Sequence, residues 1–474
     1  MEDRSVGALL VAGTSSGAGK SVLATALCAA LRRRGLRIAP FKAQNMSNNA
    51  RVVQGGEIGA AQYFQALAAG VEPCVDHNPV LIKPEPGARS QVVVLGQVDP
   101  VLTDMPWRER APHLWAAVRA AYDRVARSVD VVLLEGAGST AEVNLTDVDL
   151  ANIRIGRHAD ARTLVVCDIE RGGAFAHLYG TWALLEPVDR RRVAGFVLNR
   201  FRGDPALLEP GPAILAAKTG VPTLGVLPMV DHGLPEEDGA APDPPTGSGR
   251  RVRIVRGPAA SNLDEWWPLR EASDCRWATG PADLLDAELV VLPGSKRPAA
   301  DLDWLRATGM DRAIASAHRR GVRMLAVCGG AQLLGEVVED PYGVEAGGSS
   351  RALGLLPATT RLAATKQVRH SVQRFRPDLP APWAELSGLE VEGYEIHFGE
   401  TSGRWPLTPA FVDGSGLVGG SVLAVYLHGL AENPHVLRAL AGRERRRSLP
   451  QVCAGLADLA ERYLNMDAVL ALTR

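Results

Sequence analysis

The stretch Gly13-Thr14-Ser15-Ser16-Gly17-Ala18-Gly19-Lys20-Ser21 decides the first half of the fold, because of what stands on either side of it. The apolar residues 8–12 predict a short strand, and residues 22–34 carry apolar side chains at helical spacing. A glycine loop between a strand and a helix turns backbone N–H groups toward one anion, and the helix dipole adds to their attraction. Lys20 then reaches the terminal phosphates, and the Ser21 hydroxyl suits a magnesium ion. We therefore predict that residues 13–21 bind a nucleoside triphosphate.

The length of this loop limits the number of protein families that it resembles. Five residues separate Gly13 from Gly19-Lys20-Ser21, where four are usual. The longer loop resembles that of dethiobiotin synthetase and its relatives, which transfer phosphate to a carboxylate-type acceptor. The alternative is a glycine-rich turn with a chance lysine, which leaves the flanking strand and helix unexplained.

The composition limits the partners and the compartment. A chain of 474 residues predicts at least two domains, and a formal net charge of -1 gives no field that would attract nucleic acid or an anionic membrane. Small molecules are therefore the expected partners. The six cysteines form no C-x-x-C pair, which argues against a zinc site or a disulfide framework. Because no apolar run is long enough for a signal peptide or a bilayer span, we expect a cytoplasmic protein.

Polar side chains follow several predicted strands of the first half, at the sheet edge where parallel sheets bind ligands. Lys42, Gln44 and Asn45 come after the second strand and suit a polar substrate or nucleotide, although a turn rich in Asn explains them equally well. Glu135 ends an apolar strand and is a candidate magnesium ligand or water holder; the alternative is a carboxylate that caps the next segment. Asp168 and Asn199 end two later strands, and Asn199 is a candidate for reading an adenine.

Residues 231–251 have almost nothing to bury and predict a linker, after which a second α/β unit begins. At its centre a strand leads directly into Cys328, with glycines and a helix behind it. This order predicts a nucleophile elbow that holds the thiol exposed at a helix N-terminus, whereas the other cysteines are interpreted as buried core residues. The backbone N–H of Gly329 and the backbone near Gly294 are candidates for an oxyanion hole.

A thiol nucleophile needs a base, and two histidines follow strands in this half. His428 ends a strand just before a helix, where class I glutamine amidotransferases place their catalytic histidine, so we assign it as the base. His397 is expected to shape the pocket or the interdomain face. The usual amidotransferase pattern has Glu two residues after the histidine, but position 430 is Leu.

Five segments together resemble the cobyric acid synthase family, in order and across nearly the whole chain. They are PFKAQNM at 40–46, NPVLIKP at 78–84, EGAGS at 135–139, DIERGG at 168–173 and NRFRGD at 199–204. The related cobyrinic acid a,c-diamide synthases carry an acidic segment where this chain has Gln44-Asn45-Met46, which disfavours that activity. A nucleotide switch of the partitioning-ATPase kind would have a similar loop, but such switches have no elbow cysteine.

The resemblance implies an enzyme that uses ATP, Mg²⁺ and L-glutamine to amidate a corrinoid, adenosylcobyrinic acid a,c-diamide, at its b, d, e and g carboxylates. The family also lacks the Glu after the histidine, which implies a Cys-His dyad and slow isolated glutamine hydrolysis. If an acid were nevertheless present, Glu395, Glu400 and Glu432 would be the first candidates. The expected fold is two doubly wound parallel-sheet domains, a dethiobiotin-synthetase-like domain at 1–230 and a class I amidotransferase domain at 252–445. A helical segment at 446–474 follows them.

Overall fold

The computed structural model describes residues 6–85, 90–235, 249–345, 347–404, 406–445 and 447–473. Its first half contains twelve strands and eight α-helices. The strands are β1 Gly7–Gly13, β2 Ile38–Phe41, β3 Gln44–Met46, β4 Ala50–Val53, β5 Gly56–Gly59, β6 Val80–Pro84, β7 Ser90–Val94, β8 Gln97–Val98, β9 Val131–Glu135, β10 Arg162–Asp168, β11 Val193–Phe201 and β12 Thr223–Pro228. The helices are α1 Lys20–Arg33, α2 Ala60–Ala69, α3 Pro100–Asp104, α4 Arg110–Ala126, α5 Ile153–His158, α6 Ala174–Leu184, α7 Pro187–Arg190 and α8 Gly211–Thr219.

The first sheet has the order β12-β11-β10-β1-β9-β2, and all of its strands are parallel. Strand β1 lies inside it and is buried on both faces, because alternate residues enter two separate cores. Leu9 and Val11 pack with α1, whereas Ala8 and Leu10 pack with α4 on the opposite face. This two-sided burial is why the strand reads as a continuous apolar run.

The second half contains strands β13 to β25 and helices α9 to α13. The strands are β13 Arg251–Val255, β14 Ala260–Ser261, β15 Asp274–Ala278, β16 Leu289–Leu292, β17 Gly294–Ser295, β18 Arg323–Val327, β19 Val337–Asp340, β20 Gly348–Arg351, β21 Ala358–Arg374, β22 Glu390–Gly403, β23 Thr408–Pro409, β24 Leu417–Gly419 and β25 Val422–Val425. The helices are α9 Trp267–Ala272, α10 Pro298–Thr308, α11 Met310–Arg319, α12 Gly329–Leu334 and α13 Pro434–Ala441.

The second large sheet has the order β15-β13-β16-β18-β25-β24-β23. Its first five strands are parallel, and β24 and β23 extend it in antiparallel fashion. The predicted class of two α/β domains is therefore confirmed, with this antiparallel edge as an addition. A long antiparallel pair, β21 and β22, forms a side sheet and brings β22 against the residues that follow β25.

The predicted C-terminal helical segment consists of two helices, α14 Leu449–Tyr463 and α15 Met466–Ala471. The break falls at Asn465, whose side chain caps α15 by accepting from the Ala468 N–H. Helix α14 packs on α1 of the first domain, where Leu456 and Leu27 share one core. No helix in the described ranges combines the length and apolar character that a membrane-spanning helix requires.

The predicted domain boundaries at 230, 252 and 445 remain predictions. Residues 236–248 of the predicted linker lie outside the described residues. The two large sheets occupy the chain on either side of that segment, from Gly7 to Pro228 and from Arg251 to Val425.

We expect Leu456→Ala to destabilise the first domain, although this position is more than 400 residues away from α1 in sequence. Leu456 is 2% exposed, so its truncation leaves a cavity and should lower the free energy of unfolding by about 2–5 kcal/mol. Denaturant unfolding of the full chain measures this loss. The neighbouring Gly455→Ala is the control, because a Cβ there meets open space and should leave stability unchanged or slightly raised. Equal midpoints for the two variants would contradict the packing of α14 on α1.

Candidate active sites

The loop between β1 and α1 curls as the sequence predicts. Gly17 and Gly19 have φ angles of 72° and 96°, in the left-handed region that favours glycine. A Cβ on Gly19 would also collide with the side chain of Asn199, which donates to the Ala18 carbonyl at 3.0 Å. Asn199 is therefore in place as a support of the loop backbone, and its amide N–H₂ is engaged there in this structure.

Lys20 lies on the inner side of the loop and is 7% exposed. Its Nζ donates to the carbonyls of Ser15 and Gly138, each at 2.9 Å. These bonds hold the ammonium between the loop and the segment that follows β9. This is the position that a phosphate-binding lysine requires.

Glu135 lies beneath the loop, 1% exposed, and is surrounded by donors. Its Oε1 accepts from Ser21 Oγ at 2.9 Å and from Lys42 Nζ at 2.8 Å, and its Oε2 accepts from the Gln65 amide. A buried carboxylate requires such partners, since an isolated charge would be strongly disfavoured there. The two predicted metal ligands are therefore neighbours, with Lys42 as a third member of the cluster.

The donor set around Ser21 fits a magnesium ion held mainly by phosphates and water. Mg²⁺ in nucleotide sites commonly takes one or two protein oxygens, and Ser21 Oγ faces the cavity beside the loop. Glu135 stands one hydrogen bond behind Ser21 and does not line that cavity. Ser21 is thus the candidate for direct contact, and Glu135 orients its hydroxyl.

The cavity beside the loop has a volume of about 420 Å³. The cavity is lined by polar side chains that include Lys20, Gln44 and Asn45. Residues between Ala137 and Ile153 also line it. Met46 and Trp107 also line it, and they are 49% and 39% exposed. Large exposed apolar side chains at the rim of a polar pocket indicate a ligand with both phosphate-like and apolar parts.

Asp168 does not line this cavity. It is 4% exposed and pairs with Arg200 at 3.1 Å and with Arg171 at 3.6 Å. Arg200 does line the cavity, so Asp168 stands behind a basic residue rather than facing a ligand itself.

Cys328 adopts the strained backbone that an elbow requires, with φ 53° and ψ −115°. It follows β18 directly, and its N–H donates to the Val425 carbonyl at 2.8 Å. The sequence predicts an exposed thiol, but this prediction is wrong, since Cys328 is 6% exposed. The physical reason is that its cavity, of about 100 Å³, is closed by both domains, with Asn48 and Lys83 contributed by the first.

Cys328 Sγ donates to the Ile396 carbonyl at 3.4 Å, and His428, three residues after β25, lines the same cavity. The His428 backbone is fixed by two hydrogen bonds to Tyr394 on β22, and the Tyr394 ring stacks on the imidazole at 5.2 Å and 10°. The structure therefore brings together the predicted nucleophile and the predicted base.

A carboxylate completes this arrangement, and the expectation of a dyad without one is wrong. Glu265 Oε1 lies 2.8 Å from His428 Nδ1, and its Oε2 accepts from the Gly429 N–H at 2.7 Å. Glu265 is fully buried, in the short 3₁₀ turn Leu263–Trp266 after β14. A carboxylate at Nδ1 fixes the ring orientation and leaves Nε2 for the thiol.

None of the carboxylates that the sequence analysis proposes as the missing acid has this role. Glu395 pairs with His397 at 3.1 Å and with Arg369 at 3.1 Å, and Glu432 pairs with Arg51 at 2.6 Å. Glu400 is exposed on β22. Sequence reasoning missed Glu265 because it stands 163 residues before His428, in a turn with no characteristic spacing to either partner.

The charge of Glu265 is the strongest of the influences that raise the pKa of His428. Burial, the largest effect, lowers that pKa, but the adjacent carboxylate, followed by Cys328, raises it to about 10. The imidazolium form is thus favoured at neutral pH. A thiolate facing it would gain an opposite charge in a cavity with little water.

Gly329 and Gly294 lie on two sides of the elbow. A Cβ on Gly329 would lie 2.5 Å from the Ser295 backbone nitrogen, and one on Gly294 would lie 3.1 Å from Cε1 of His428. Only glycine permits this close approach between α12 and β17. His397 lines the cavity that contains Cys328, and its Nδ1 lies 2.8 Å from the Gly399 carbonyl.

Comparison with known proteins identifies both halves. A family described as the CobQ/CobB/MinD/ParA nucleotide binding domain matches residues 9–237, and one described as the CobB/CobQ-like glutamine amidotransferase domain matches residues 251–436. Together with the two sites, these matches define the class: a glutamine-hydrolysing ligase that carries an ATP-binding domain and an amidotransferase domain in one chain.

Curated relatives then define the particular family. The cobyric acid synthase of Acidovorax ebreus (strain TPSY) is 51% identical over 493 residues, which cover 98% of both chains. The cobyric acid synthase of Variovorax paradoxus (strain S110) is 50% identical over 480 residues, again with 98% of both chains covered. The chain belongs to the cobyric acid synthase family, and the resemblance carried by its five segments is confirmed.

We expect Glu265→Gln to lower glutamine-dependent activity by about 10²-fold or more, because a neutral amide does not stabilise the imidazolium charge and can donate to Nδ1, which favours the wrong tautomer. Glu265 raises the pKa of His428, so its neutralisation lowers that pKa and moves the alkaline limb of the glutaminase profile to lower pH. Initial rates of glutamate release across pH measure both effects.

Glu400→Gln is the matched control, because it neutralises an exposed carboxylate on β22 in the same domain. It should leave the rate and both limbs unchanged. An unaltered rate and profile in Glu265→Gln would contradict the role of this carboxylate.

Proposed function

We propose that the protein amidates the b, d, e and g carboxylates of adenosylcobyrinic acid a,c-diamide, with ammonia from L-glutamine and energy from ATP. One observation carries the proposal. Cys328, His428 and Glu265 form a buried catalytic arrangement in a cavity bounded by the first domain, which carries its own phosphate loop. A hydrolytic site that opens toward a synthetase domain suits the delivery of ammonia between them.

In the glutaminase half, the Cys328 thiolate attacks the carboxamide carbon of glutamine. The C–N bond then breaks, and the leaving nitrogen takes its proton from the His428 imidazolium and departs as ammonia. Water, activated by the now neutral imidazole, hydrolyses the glutamyl thioester and restores the thiol. Glu265 supports the imidazolium in each proton transfer, and the N–H groups near Gly329 and Gly294 are the proposed donors to the oxyanion.

In the synthetase half, residues 13–21 hold the triphosphate, and Lys20 meets the negative charge on its β- and γ-phosphates. A corrin carboxylate oxygen attacks the γ-phosphorus and ADP leaves, which gives an acyl phosphate. Ammonia attacks its carbonyl carbon and displaces phosphate, forming the amide. Gln44 and Asn45, which line the cavity, are proposed contacts to the substrate's polar groups.

When bound, Mg²⁺ would supply positive charge that offsets the negative charge developing on the phosphates. Ser21 is the proposed protein ligand. Glu135 and Lys42 hold the Ser21 hydroxyl in place from behind, and Asn199 supports the loop.

The apolar rim of the first cavity is the proposed resting place of the corrin ring. Trp107 and Met46 present large, partly exposed apolar surfaces beside the phosphate loop. A macrocycle with charged side arms requires this combination, an apolar face for the ring and polar groups for the carboxylate. Each of the four carboxylates would reach the phosphate loop in turn when the ring rebinds on this face in a rotated position.

We place the reaction in the cytoplasm. The support is the sequence itself, in which the six cysteines suit a reducing compartment. In the part of the chain that the structure describes, none of these six cysteines forms a disulfide bond.

We expect Cys328→Ala to abolish glutamine-dependent amidation and to leave ammonia-dependent amidation largely intact, because the synthetase chemistry requires no thiol. Amide formation with each nitrogen donor, measured at saturating ATP and corrinoid, separates the two functions. Equal loss with both donors would contradict a two-site enzyme.

The reciprocal variant is Lys20→Ala, which removes the charge that meets the phosphates. Both donors should then fail, whereas glutamate release should survive at least in part. ATP turnover near that of the unmodified protein would contradict the assignment of the loop.

We expect Trp107→Ala to raise the KM for the corrinoid by about tenfold, which corresponds to the loss of one partly buried aromatic contact. Glutamate release and the KM for ATP should stay close to those of the unmodified protein. Leu207→Ala is the control, because Leu207 is 78% exposed in the same domain but does not line the cavity. An unchanged corrinoid KM in Trp107→Ala would refute the proposed corrin face.

A further inference from the structure

Arg51 belongs to the first domain by sequence, but its side chain enters the amidotransferase domain. It lies on β4 and is 2% exposed. Its guanidinium bonds to Asp264 through Nε at 2.8 Å and through Nη2 at 2.5 Å, and to Glu432 through Nη1 at 2.6 Å. The same group lies over the Tyr394 ring at 5.3 Å. A buried arginine with these contacts is fixed in position on three sides.

Each partner of Arg51 is next to a member of the glutaminase site. Asp264 immediately precedes Glu265 in the turn Leu263–Trp266. Glu432 lies in the 3₁₀ turn Leu430–Glu432 that follows His428 and Gly429. Tyr394 stacks on the His428 ring. Arg51 touches no reacting group itself, so any effect on the chemistry must act through these neighbours.

The backbone on both sides of the interface strengthens this connection. The Asn262 N–H donates to the Asn48 carbonyl at 3.2 Å, and its side chain donates to the Ala50 carbonyl at 2.9 Å. The Leu263 N–H donates to Asn49 Oδ1 at 2.9 Å. The turn that carries Glu265 is therefore held by consecutive residues of the first domain.

The same short segment borders both cavities. Gln44, Asn45 and Met46 line the cavity beside the phosphate loop, and Asn48 lines the cavity that contains Cys328. Arg51 follows three residues later. A displacement of this segment at the synthetase site would therefore reach the glutaminase turn through direct contacts, without an intervening flexible loop.

Arg51 is also a cation close to three carboxylates, of which Asp264 and Glu265 are buried and Glu432 is partly exposed. The titratable groups that face this cluster from the surrounding elements are Tyr63, Tyr394 and His428. Burial raises the pKa of Asp264, and Arg51 opposes that rise. Without the guanidinium, Asp264 would lose its ion pair and face the neighbouring carboxylates without a compensating charge.

We propose that Arg51 is a positioning residue for the glutaminase, through which the first domain holds Glu265 in its hydrogen bond with His428. This inference rests on the proposed function of Cys328, His428 and Glu265. The synthetase domain then helps to hold the residues of the proposed ammonia-releasing site in place.

The test uses Arg51→Met and Arg51→Lys in the full-length chain. We measure glutamate release without corrinoid, and amide formation with glutamine and with ammonia. In Arg51→Met the kcat for glutamate release should fall about 10- to 100-fold, as for other small misplacements of catalytic groups, with little change in the KM for glutamine. Ammonia-dependent amidation should stay within about twofold of the unmodified protein, since its site is intact.

The pH profile gives a readout that a purely structural role would not move. Loss of the guanidinium lets the pKa of Asp264 rise further, so this carboxylate is neutralised at higher pH and the acid limb of glutamate release should move upward in pH. Arg51→Lys keeps the charge and should restore the limb and part of the rate. Arg124→Met is the control, because it removes an arginine that pairs with Asp76 inside the first domain.

If Arg51→Met fails to fold, Asp264→Asn replaces it. This variant keeps the shape of the side chain, weakens the ion pair and should lower glutamate release by about 3- to 10-fold, with ammonia-dependent amidation retained. Equal loss with both nitrogen donors, or an unchanged rate and acid limb, would overturn the proposal. Because glutamate release is measured without corrinoid, failure of the corrinoid assignment would be seen separately, as an unmodified protein that forms no amide with either donor.

Discussion

The hydrogen bond between Glu265 and His428 is the interaction on which the glutaminase half depends. Both groups are buried, so neither can exchange its partner for water. The carboxylate fixes one ring nitrogen and leaves the other for Cys328, which lines the same cavity on a strained backbone. A fully buried catalytic arrangement of this kind works only if its surroundings hold it, because a displacement of about 1 Å would remove its advantage.

Those surroundings come from both domains. The turn that carries Glu265 is bonded to residues 48–51, and the cavity around Cys328 is closed by Asn48 and Lys83. Residues 44–46, which come just before residues 48–51, line the cavity beside the phosphate loop. Residues 44–48 thus border both the cavity beside the phosphate loop and the cavity around Cys328. The packing of the two domains around the second cavity explains why the thiol is buried rather than exposed.

The sequence predicts the parts that depend on local order along the chain. Residues 8–34 specify strand, loop and helix, and the elbow at Cys328 follows from the same reasoning, since each signal lies within one short window. His428 is also found by its place at a strand end. Glu265 could not be predicted in this way, because its relation to His428 exists only after two distant turns meet in the fold. The burial of Cys328 and the role of Arg51 could not be predicted for the same reason, because both depend on how the domains pack.

The most direct test of this account is the titration of His428 by NMR, in the full-length protein with ¹⁵N-labelled histidine. The account predicts an imidazolium that persists well above the ordinary histidine range, with a pKa that falls markedly in Glu265→Gln. An ordinary pKa for His428 that does not change when Glu265 is neutralised would contradict it.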